Sequence, residues 1–425
     1  MEHVANYPVV RKLGEGATSE VFLCQDPFRG REVAVKRIFP EALRDPMRGR
    51  VFRKLFFTEA SLAGKLEHPH IAQIFDAGIG EDSGYIVMEY VPGGTMERFV
   101  TPESLLPVEK VLEIAFKCAR ALSFAHARGV THRDIKPGNI LYATDPTDVR
   151  IGDFGLAINL GTETTQVTGV GSPAYMSPEQ IRDEVVDHRT DLYSLGVVMY
   201  QMLSGTLPYR GNNKFSIIFQ ITQYEPPPPS SYRRGVPESL DRIVRRAMQK
   251  DPAQRYQSGD ELAEELIESL RAGVSERHGG ELGEADKFVV LRRMRFFSAF
   301  ADPELWEVLA LSTWRQVSSG SAMVREGEHG DFFCMLIQGE ARVSKNKKLL
   351  SVLGPGECFG EMAYLSRSGH ERGATVTAAR EALIMQVRVG DLGKASADCR
   401  SKFDRAFIGI LVERLNLANT RLTSG

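Results

Sequence analysis

The sequence predicts an α+β protein with more than one domain, and three observations lead to this prediction. A chain of 425 residues suggests two or three domains, because one domain usually takes about 150 residues. Strand-like alternation near the N-terminus gives way to mostly helical spacing from about 103 to 272. After a polar, glycine-rich stretch the pattern changes again, to closely spaced strands between helical segments. We therefore expect two structural units of different architecture.

The first unit is predicted to begin with a sheet. Residues 7–40 contain three runs of alternating apolar and polar residues, with a turn at Gly14–Gly16. Residues 51–66 change to helical spacing, and two further strand-like runs follow, IAQIFDAGIG and GYIVMEYV. The helical part is broken by a stretch rich in Gly, Asp and Pro from 131 to 179. The proline block at 225–234 is expected to be a loop between two helices.

The best domain boundary lies in the sequence AGVSERHGGELGEA, which is polar and glycine-rich and has little to bury. We place a first domain at 7–271, a linker at 272–289 and a second domain at 290–422. Short strand-like runs and glycine turns fill 315–390, and helical spacing returns at 398–422. The second domain is therefore predicted to be a small β structure flanked by helices.

Composition excludes several classes of protein. Lys plus Arg number 53 and Asp plus Glu 55, a balance that does not suggest a nucleic acid or an anionic membrane as an obligatory partner. The longest apolar stretch, Leu192–Leu203, is too short and interrupted to span a bilayer, and the N-terminus lacks the pattern of a signal peptide. The five cysteines are scattered and show no CxxC spacing. We expect a soluble cytoplasmic protein.

A first group of residues suggests a site for nucleotide phosphates. Gly14 and Gly16 lie between two strand-like runs, where glycine lets a backbone approach phosphate oxygens closely. Lys36 follows in VAVK, a cation among apolar residues on a strand, and Glu59 is a carboxylate that would hold it in place. On these residues alone, a plain hairpin turn and a lysine that reaches the surface remain open alternatives.

Three further motifs, THRDIKPGN, IGDFGLA and SPAYMSPEQ, follow in a fixed order. With them, residues 7–271 resemble the protein kinase catalytic domain, and the resemblance implies the bilobal kinase fold. Lys136, two residues after Asp134, matches the Ser/Thr branch, and YMSPEQ resembles bacterial members of the family that are similar to eukaryotic kinases. The departures are small, with Ser19 in place of the third loop glycine and Ser177 in place of the first residue of APE.

The resemblance implies a role for each matching residue. Asp134 would accept the hydrogen bond of the substrate hydroxyl, and Lys136 would neutralise charge on the transferred phosphoryl group, with Lys36 tied to Glu59. ATP and Mg²⁺ are the implied cofactors, and the metal would be held by Asn139 and Asp153. The implied ATP-binding residues are Gly14, Glu15, Gly16, Val21, Ala34, Lys36, Met88, Glu89 and Val91.

The kinase resemblance also implies framework and regulatory residues. Glu179 is expected to pair with Arg255, and Asp191 to brace the backbone of the HRD motif. Arg133 places the chain among kinases whose activation segment is commonly ordered by phosphorylation. The threonines Thr162, Thr164, Thr165 and Thr168 are the phosphosite candidates we favour, and Ser172 is a further acceptor.

A second group of residues suggests an anion site. Gly354, Gly356 and Gly360 bracket a turn that leads into a short helix, and Glu361 and Arg372 flank the same loop. A carboxylate accepts hydrogen bonds from a ribose hydroxyl, and a guanidinium grips a phosphate with its planar fork. A surface loop with an ordinary Glu–Arg pair remains an alternative on these residues alone.

FGEMA at 359–363 and RGATV at 372–376 match the phosphate-binding cassette of the cyclic nucleotide-binding domain, which residues 290–422 resemble. The resemblance implies an eight-stranded jelly-roll barrel with flanking helices, in which 398–422 forms a lid. Glu361 would contact the ribose 2′-hydroxyl and Arg372 the cyclic phosphate. The implied pocket residues are Gly360, Glu361, Met362, Ala363, Arg372 and Gly373. Gly373 stands where cyclic GMP binders often have a threonine, which favours cyclic AMP over cyclic GMP.

The whole sequence is therefore interpreted as a Ser/Thr protein kinase that phosphorylates proteins and itself and is regulated by a cyclic nucleotide. Two alternatives stay open: an active kinase whose barrel is a protein-docking module without a ligand, and a pseudokinase scaffold. A transcription factor is disfavoured, because few residues follow the long last helix and a helix-turn-helix would not fit. The expected partners are protein substrates and a cyclic nucleotide, with a homodimer as a possibility that the C-terminal helix leaves open.

Overall fold

The computed structural model describes residues 2–16, 19–44, 60, 64–80, 83–154, 173–275, 282–365 and 371–423. The chain divides into two compact units, Met1–Glu281 and Leu282–Gly425. No helix in the described ranges is long and apolar enough to cross a bilayer. The predicted helix at 51–66 falls largely outside the described residues.

The first unit begins with a six-stranded antiparallel sheet in the order β1-β2-β3-β4-β6-β5. Its strands are β1 His3–Val4, β2 Tyr7–Glu15, β3 Ser19–Asp26, β4 Arg31–Ile38, β5 Ile74–Ile79 and β6 Gly84–Glu89. The alternating runs of the sequence form β2 to β6, which confirms the predicted strands. In the register Lys36 of β4 lies between Val21 and Ile86, so this lysine sits in the middle of the sheet.

The rest of the first unit is mainly helical, as predicted. Its α-helices are Pro40–Arg44, Val108–His126, Pro178–Ile181, Arg189–Ser204, Lys214–Gln223, Glu238–Ala247 and Gly259–Ser275. A small sheet of β7 Gly94–Thr95, β8 Ile140–Tyr142 and β9 Val149–Ile151 lies among them. The Arg189–Ser204 helix is buried along almost its whole length and ends at Gly205, whose φ of 75° is a left-handed conformation that glycine adopts readily. Asp191 of this buried helix contacts the backbone of the loop that carries the HRD motif, at His132 and Arg133.

In the described part of the second unit, eight barrel strands form two four-stranded sheets, ordered β10-β17-β12-β15 and β11-β16-β13-β14. The strands are β10 Ser312–Val317, β11 Ala322–Val324, β12 Phe332–Gln338, β13 Ala341–Lys345, β14 Lys348–Leu353, β15 Cys358–Phe359, β16 Thr375–Ala378 and β17 Ala382–Arg388. Buried apolar residues from both sheets share one core. The predicted eight-stranded jelly roll is thus confirmed.

Helices flank this barrel on both sides in the sequence. They are Glu284–Arg293, Asp302–Leu311, Met362–Leu365, Val389–Leu392 and Ala397–Thr423. Phe403 and Phe407 are fully buried and pack against the ring of Phe333 in β12, with centroid separations of 5.7 and 5.0 Å. These aromatic contacts hold the first half of the Ala397–Thr423 helix against the barrel.

Helical residues lie at both ends of the predicted linker at 272–289. The Gly259–Ser275 helix continues into it, and the Glu284–Arg293 helix begins within it. Ala285 and Phe288 are buried, so the second helix belongs to the core of the second unit.

All five cysteines are buried and none forms a disulfide. Two of them lie in the first unit and three in the second. Burial raises the pKa of Cys24 to about 11 and that of the other four thiols to about 12, because it disfavours the charged thiolate.

Candidate functional site

The loop that carries the HRD motif is held by hydrogen bonds to one buried carboxylate, that of Asp191. Asp191, near the start of the Arg189–Ser204 helix, is fully buried and accepts hydrogen bonds from the backbone N–H groups of His132 and Arg133, at 2.8 and 2.7 Å. His126 Nε2 lies 2.8 Å from the same carboxylate. The predicted bracing role of Asp191 is confirmed.

Two residues of this region have a positive φ, a backbone conformation that is unfavourable for residues other than glycine. Arg133 has a φ of 67° and Asp153 a φ of 57°. Such conformations cluster at functional sites because the surrounding contacts enforce them. Here the backbone N–H of Arg133 bonds to Asp191, and its carbonyl accepts from Gln180 Nε2 at 2.9 Å.

His132 joins the HRD loop to the DFG segment. Its Nδ1 accepts the backbone N–H of Asp134 at 3.2 Å, which requires Nε2 to carry the proton. Nε2 then donates to the carbonyl of Gly152 at 2.8 Å, and the imidazole packs against Phe154 with ring centroids 4.7 Å apart. The His132 side chain therefore links the backbone of Asp134 to that of Gly152, next to Asp153.

Asp134, Lys136 and Asn139 form one hydrogen-bonded group. Lys136 Nζ lies 2.7 Å from Asp134 Oδ2, and Asn139 Nδ2 donates to Asp134 O at 2.7 Å and Oδ2 at 3.1 Å. The side chain of Asp134 is 48% exposed, so a hydroxyl on another protein can reach it. Because the amide nitrogen of Asn139 is engaged, its amide oxygen is the atom left for a ligand or a metal.

Lys36 of β4 reaches across to the DFG segment. Its Nζ lies 3.0 Å from Asp153 Oδ1, and the lysine side chain is only 12% exposed. Desolvation opposes the charge of Asp153, but the charge of Lys36 and its hydrogen bond outweigh it, so the pKa of this carboxyl is held below its usual value. A lysine and an ionised carboxylate therefore face each other beside Asn139.

An apolar cluster lies on the same sheet. Ala34 and Met88 are buried members of one hydrophobic cluster, and Val21 packs against it. The glycine loop begins beside them, where Gly16 donates its N–H to the carbonyl of Ser19 at 2.7 Å. The predicted nucleotide-binding residues Val21, Ala34 and Met88 are thus brought together.

The second unit has a buried guanidinium at its predicted phosphate-binding cassette. Arg372 donates to the carbonyls of Gly360 and Phe332, at 3.0 and 2.7 Å, and its Cζ lies 4.4 Å from the centroid of the Phe332 ring. Among the described residues no carboxylate forms an ion pair with it, and burial lowers the pKa of this guanidinium. An anion bound here would balance the positive charge of Arg372, which the neutral carbonyl groups of Gly360 and Phe332 do not.

Glu361, the other predicted pocket residue, is also buried. Its Oε1 lies 2.5 Å from Arg414 Nη1 on the Ala397–Thr423 helix, and Arg414 Nη2 donates to the carbonyl of Cys358 at 2.7 Å. The cassette therefore brings one carboxylate and two guanidinium groups together at the start of the Met362–Leu365 helix.

A comparison with protein families assigns both units. Residues 7–268 match the model of the protein kinase domain, which is more than half of the chain. The chain belongs to the protein kinase family. Residues 314–398 match the model of the cyclic nucleotide-binding domain, which covers most of the barrel strands.

The kinase domain is similar to curated bacterial proteins. It is 39% identical over 282 residues to serine/threonine-protein kinase PknB of Mycobacterium leprae, covering 65% of this chain and 43% of that protein. A probable serine/threonine-protein kinase of Clostridium perfringens, CPE1738, is 37% identical over 262 residues, covering 61% of this chain and 38% of that protein. The chain thus spans less than half the length of these relatives.

Several predicted site residues of the kinase domain lie outside the described residues. They are Glu59, Thr162, Thr164, Thr165 and Thr168. The other framework prediction is confirmed, since Arg255 forms a two-pronged ion pair with Glu179, with N–O distances of 2.6 and 2.7 Å. Gly373 lies within the described residues, and a Cβ atom added to it would have no neighbouring atom within 4 Å.

Three residues of the barrel site were missed by sequence reasoning. A Cβ on Gly330 would lie 2.0–2.4 Å from the guanidinium group of Arg372, so any side chain here would displace that group from its present position. The Phe332 ring packs on the same guanidinium, and Arg414 covers Glu361. Gly330 and Phe332 lie about 40 residues before Arg372, and the sequence carries no local signal of their contact.

Proposed function

We propose that the protein is an active Ser/Thr protein kinase in which Asp134, Lys136 and Lys36 act on the phosphoryl transfer. The observation that carries the proposal is the exposed Asp134 carboxylate, held by Lys136 and Asn139 beside the Lys36–Asp153 pair. Asp134 accepts the hydrogen bond of the incoming Ser or Thr hydroxyl and orients its oxygen. Lys136 stabilises the negative charge that develops on the transferred group.

The donor atoms present fit ATP and Mg²⁺. The amide oxygen of Asn139 and the carboxylate of Asp153 are hard oxygen donors of the kind Mg²⁺ prefers, and the lowered pKa of Asp153 keeps that carboxylate ionised. Bound Mg²⁺ would neutralise phosphate charge during transfer. Val21, Ala34 and Met88 supply the apolar surface for a base, with Glu89 and Val91 as the adjoining backbone. Gly14, Glu15 and Gly16 would cover the phosphates.

We further propose that the barrel binds a cyclic nucleotide and that binding regulates the kinase. The contacts of the buried Arg372 support this, because its hydrogen bonds go to carbonyl oxygens and a cyclic phosphate would be the missing anionic partner. Glu361 offers an acceptor for a ribose hydroxyl, and Gly360, Met362 and Ala363 form the turn between them. We favour cyclic AMP over cyclic GMP and autophosphorylation of an activation-segment threonine.

The experiment that tests both parts measures phosphate transfer from ATP to a generic basic protein, with and without each cyclic nucleotide. We expect transfer that depends on Mg²⁺ and that changes with one of the two nucleotides. Unchanged transfer at saturating nucleotide would reject regulation and leave a kinase with a protein-docking barrel. Absence of transfer under all conditions would favour a pseudokinase.

Replacing Arg372 with Ala is expected to weaken cyclic nucleotide binding by more than tenfold. A hydrogen bond to a charged group contributes about 1.5–3 kcal/mol, and the variant removes the guanidinium that would hold the phosphate. Isothermal titration calorimetry on the full chain measures the dissociation constant. Arg380→Ala, at an exposed arginine of the same unit whose side chain is 71% exposed, is the control and is expected to bind like the wild type. Equal affinities for wild type and Arg372→Ala would contradict the assignment.

Replacing Gly330 with Ala is expected to weaken nucleotide binding about fivefold without a large loss of stability. The new methyl group would displace the Arg372 guanidinium, but that group is the far end of a flexible side chain, so the fold can adjust. Calorimetric titration gives the affinity and thermal unfolding gives the stability. Gly320→Ala controls for glycine replacement, because nothing lies near its Cβ position and its φ of 81° adds backbone strain without touching the arginine. A variant that binds as well as wild type would show that Arg372 is not positioned by Gly330.

A further inference from the structure

The buried carboxylate of the cassette already has a partner within the protein. Glu361 is 7% exposed at its side chain, whereas Arg414, which lies 2.5 Å from it, is 41% exposed. The guanidinium is therefore the outer group of the pair and covers the carboxylate. A hydroxyl that approaches Glu361 from solvent meets Arg414 first.

We propose that Arg414 is a latch that closes the cassette in the free protein and is displaced when a ribose hydroxyl binds to Glu361. This inference rests on the proposed cyclic nucleotide site. Displacement replaces the Arg414 hydrogen bond to Glu361 by one from the ribose hydroxyl and also breaks the bond from Arg414 to the carbonyl of Cys358. The half-exposed guanidinium regains water, which offsets part of this loss. The latch lowers the apparent affinity for ligand by the fraction of molecules in which it is closed.

A second set of contacts gives the latch a pivot. Tyr364, in the Met362–Leu365 helix, donates its hydroxyl to Asp404 Oδ1 at 2.6 Å, and its ring lies 5.4 Å from that of Phe407. Both partners belong to the Ala397–Thr423 helix, and Phe407 is fully buried. These contacts do not involve Glu361, so they stay in place when the latch opens.

The latch and the pivot are separated along the same helix. Arg414 lies ten residues after Asp404, which is about 15 Å at 1.5 Å per residue. Beyond Phe407 the described side chains of the helix are mostly exposed, so few apolar contacts resist a swing of that part. When the Arg414–Glu361 bond opens, the part of the helix after Phe407 can therefore move relative to the Tyr364–Asp404 contact.

The direct test compares nucleotide affinity in three full-length proteins: wild type, Arg414→Gln and Arg405→Gln. Arg405 is exposed on the same helix, so its replacement removes the same charge without touching the latch. We expect Arg414→Gln to bind cyclic AMP about three- to tenfold more tightly than wild type, and Arg405→Gln to stay within about twofold. Unchanged or weaker binding by Arg414→Gln would overturn the latch, and weaker binding would make Arg414 a ligand contact instead.

A second measurement does not depend on any ligand. Hydrogen exchange in the free protein is expected to be about three- to tenfold faster in Arg414→Gln than in wild type at the amides around Arg414, and unchanged around Phe403. Unchanged exchange around Arg414 overturns the latch whatever the nucleotide result. If neither wild type nor Arg414→Gln binds a nucleotide, the proposed ligand site fails, and faster exchange would still establish the closing contact.

Discussion

Replacing Asp134 with Asn is expected to lower kcat for phosphoryl transfer about 10²–10⁴-fold while the fold stays intact. The amide keeps the size of the carboxylate but loses the charge that orients the substrate hydroxyl and attracts its proton. Lys136, now 2.7 Å from a neutral oxygen, would also lose its counter-charge. Because Asp134 is proposed to bind the acceptor hydroxyl and not ATP, KM for ATP is expected to change little.

Phosphate incorporation into a basic protein substrate, measured under saturating ATP, checks this result. Asp183→Asn is the matched control, since Asp183 is exposed in the same unit and its φ of 56° is one that asparagine also adopts. The control is expected to retain wild-type activity. An Asp134→Asn protein with more than a tenth of wild-type kcat would remove Asp134 from the catalytic machinery.

Replacing Arg255 with Met is expected to lower the free energy of unfolding of the kinase unit by about 3–5 kcal/mol. The side chain of Arg255 is fully buried, and it pairs with both carboxylate oxygens of Glu179, whose side chain is 4% exposed. It also donates to the carbonyl of Gln249 at 2.6 Å and of Lys250 at 3.1 Å. The variant leaves a buried carboxylate and these acceptors without their donor.

The two tryptophans of the chain make this prediction measurable on the full protein. Trp306 and Trp314 both lie in the second unit, so tryptophan fluorescence follows the barrel and far-UV circular dichroism follows both units. In urea, Arg255→Met is expected to shift a circular dichroism transition and leave the fluorescence transition in place.

Two further variants separate the buried pair from a general loss of arginine. The double variant Glu179→Met with Arg255→Met is expected to recover part of the lost stability, because no charge is then left unpaired. Arg242→Met breaks a surface pair in which both side chains are more than half exposed, and is expected to cost less than about 1 kcal/mol. A loss below about 1 kcal/mol for Arg255→Met would show that water reaches Glu179.

Much of the fold and of the kinase site could be predicted from sequence because the informative residues lie within short motifs. Asp134, Lys136 and Asn139 span six positions of one loop, and the resemblance of that motif to the kinase family implied that they act together. Alternation and glycine turns predicted closely spaced strands at 315–390, and the family resemblance implied that there are eight of them. Asp191 and the Glu179–Arg255 pair were predicted through the family resemblance and are confirmed by their hydrogen bonds.

The contacts that decide the barrel site could not be predicted, because they depend on tertiary packing. The last helix carries Arg400, Arg405, Arg414 and Arg421, and nothing in the sequence indicates which one reaches Glu361. The helix direction and the aromatic contacts of Phe403 and Phe407 select Arg414. Glycine at 330 likewise reads as a turn residue until the position of Arg372 is known.

The burial of every cysteine has a practical consequence for following this protein in solution. Thiols with a pKa near 11 or 12 and no solvent access react slowly with maleimides at neutral pH, where a surface thiol reacts readily. A single cysteine introduced at exposed Arg405 would therefore be labelled selectively in the native chain, without replacing any of the five natural ones. A dye at that place would report movement of the last helix in real time as a cyclic nucleotide is added.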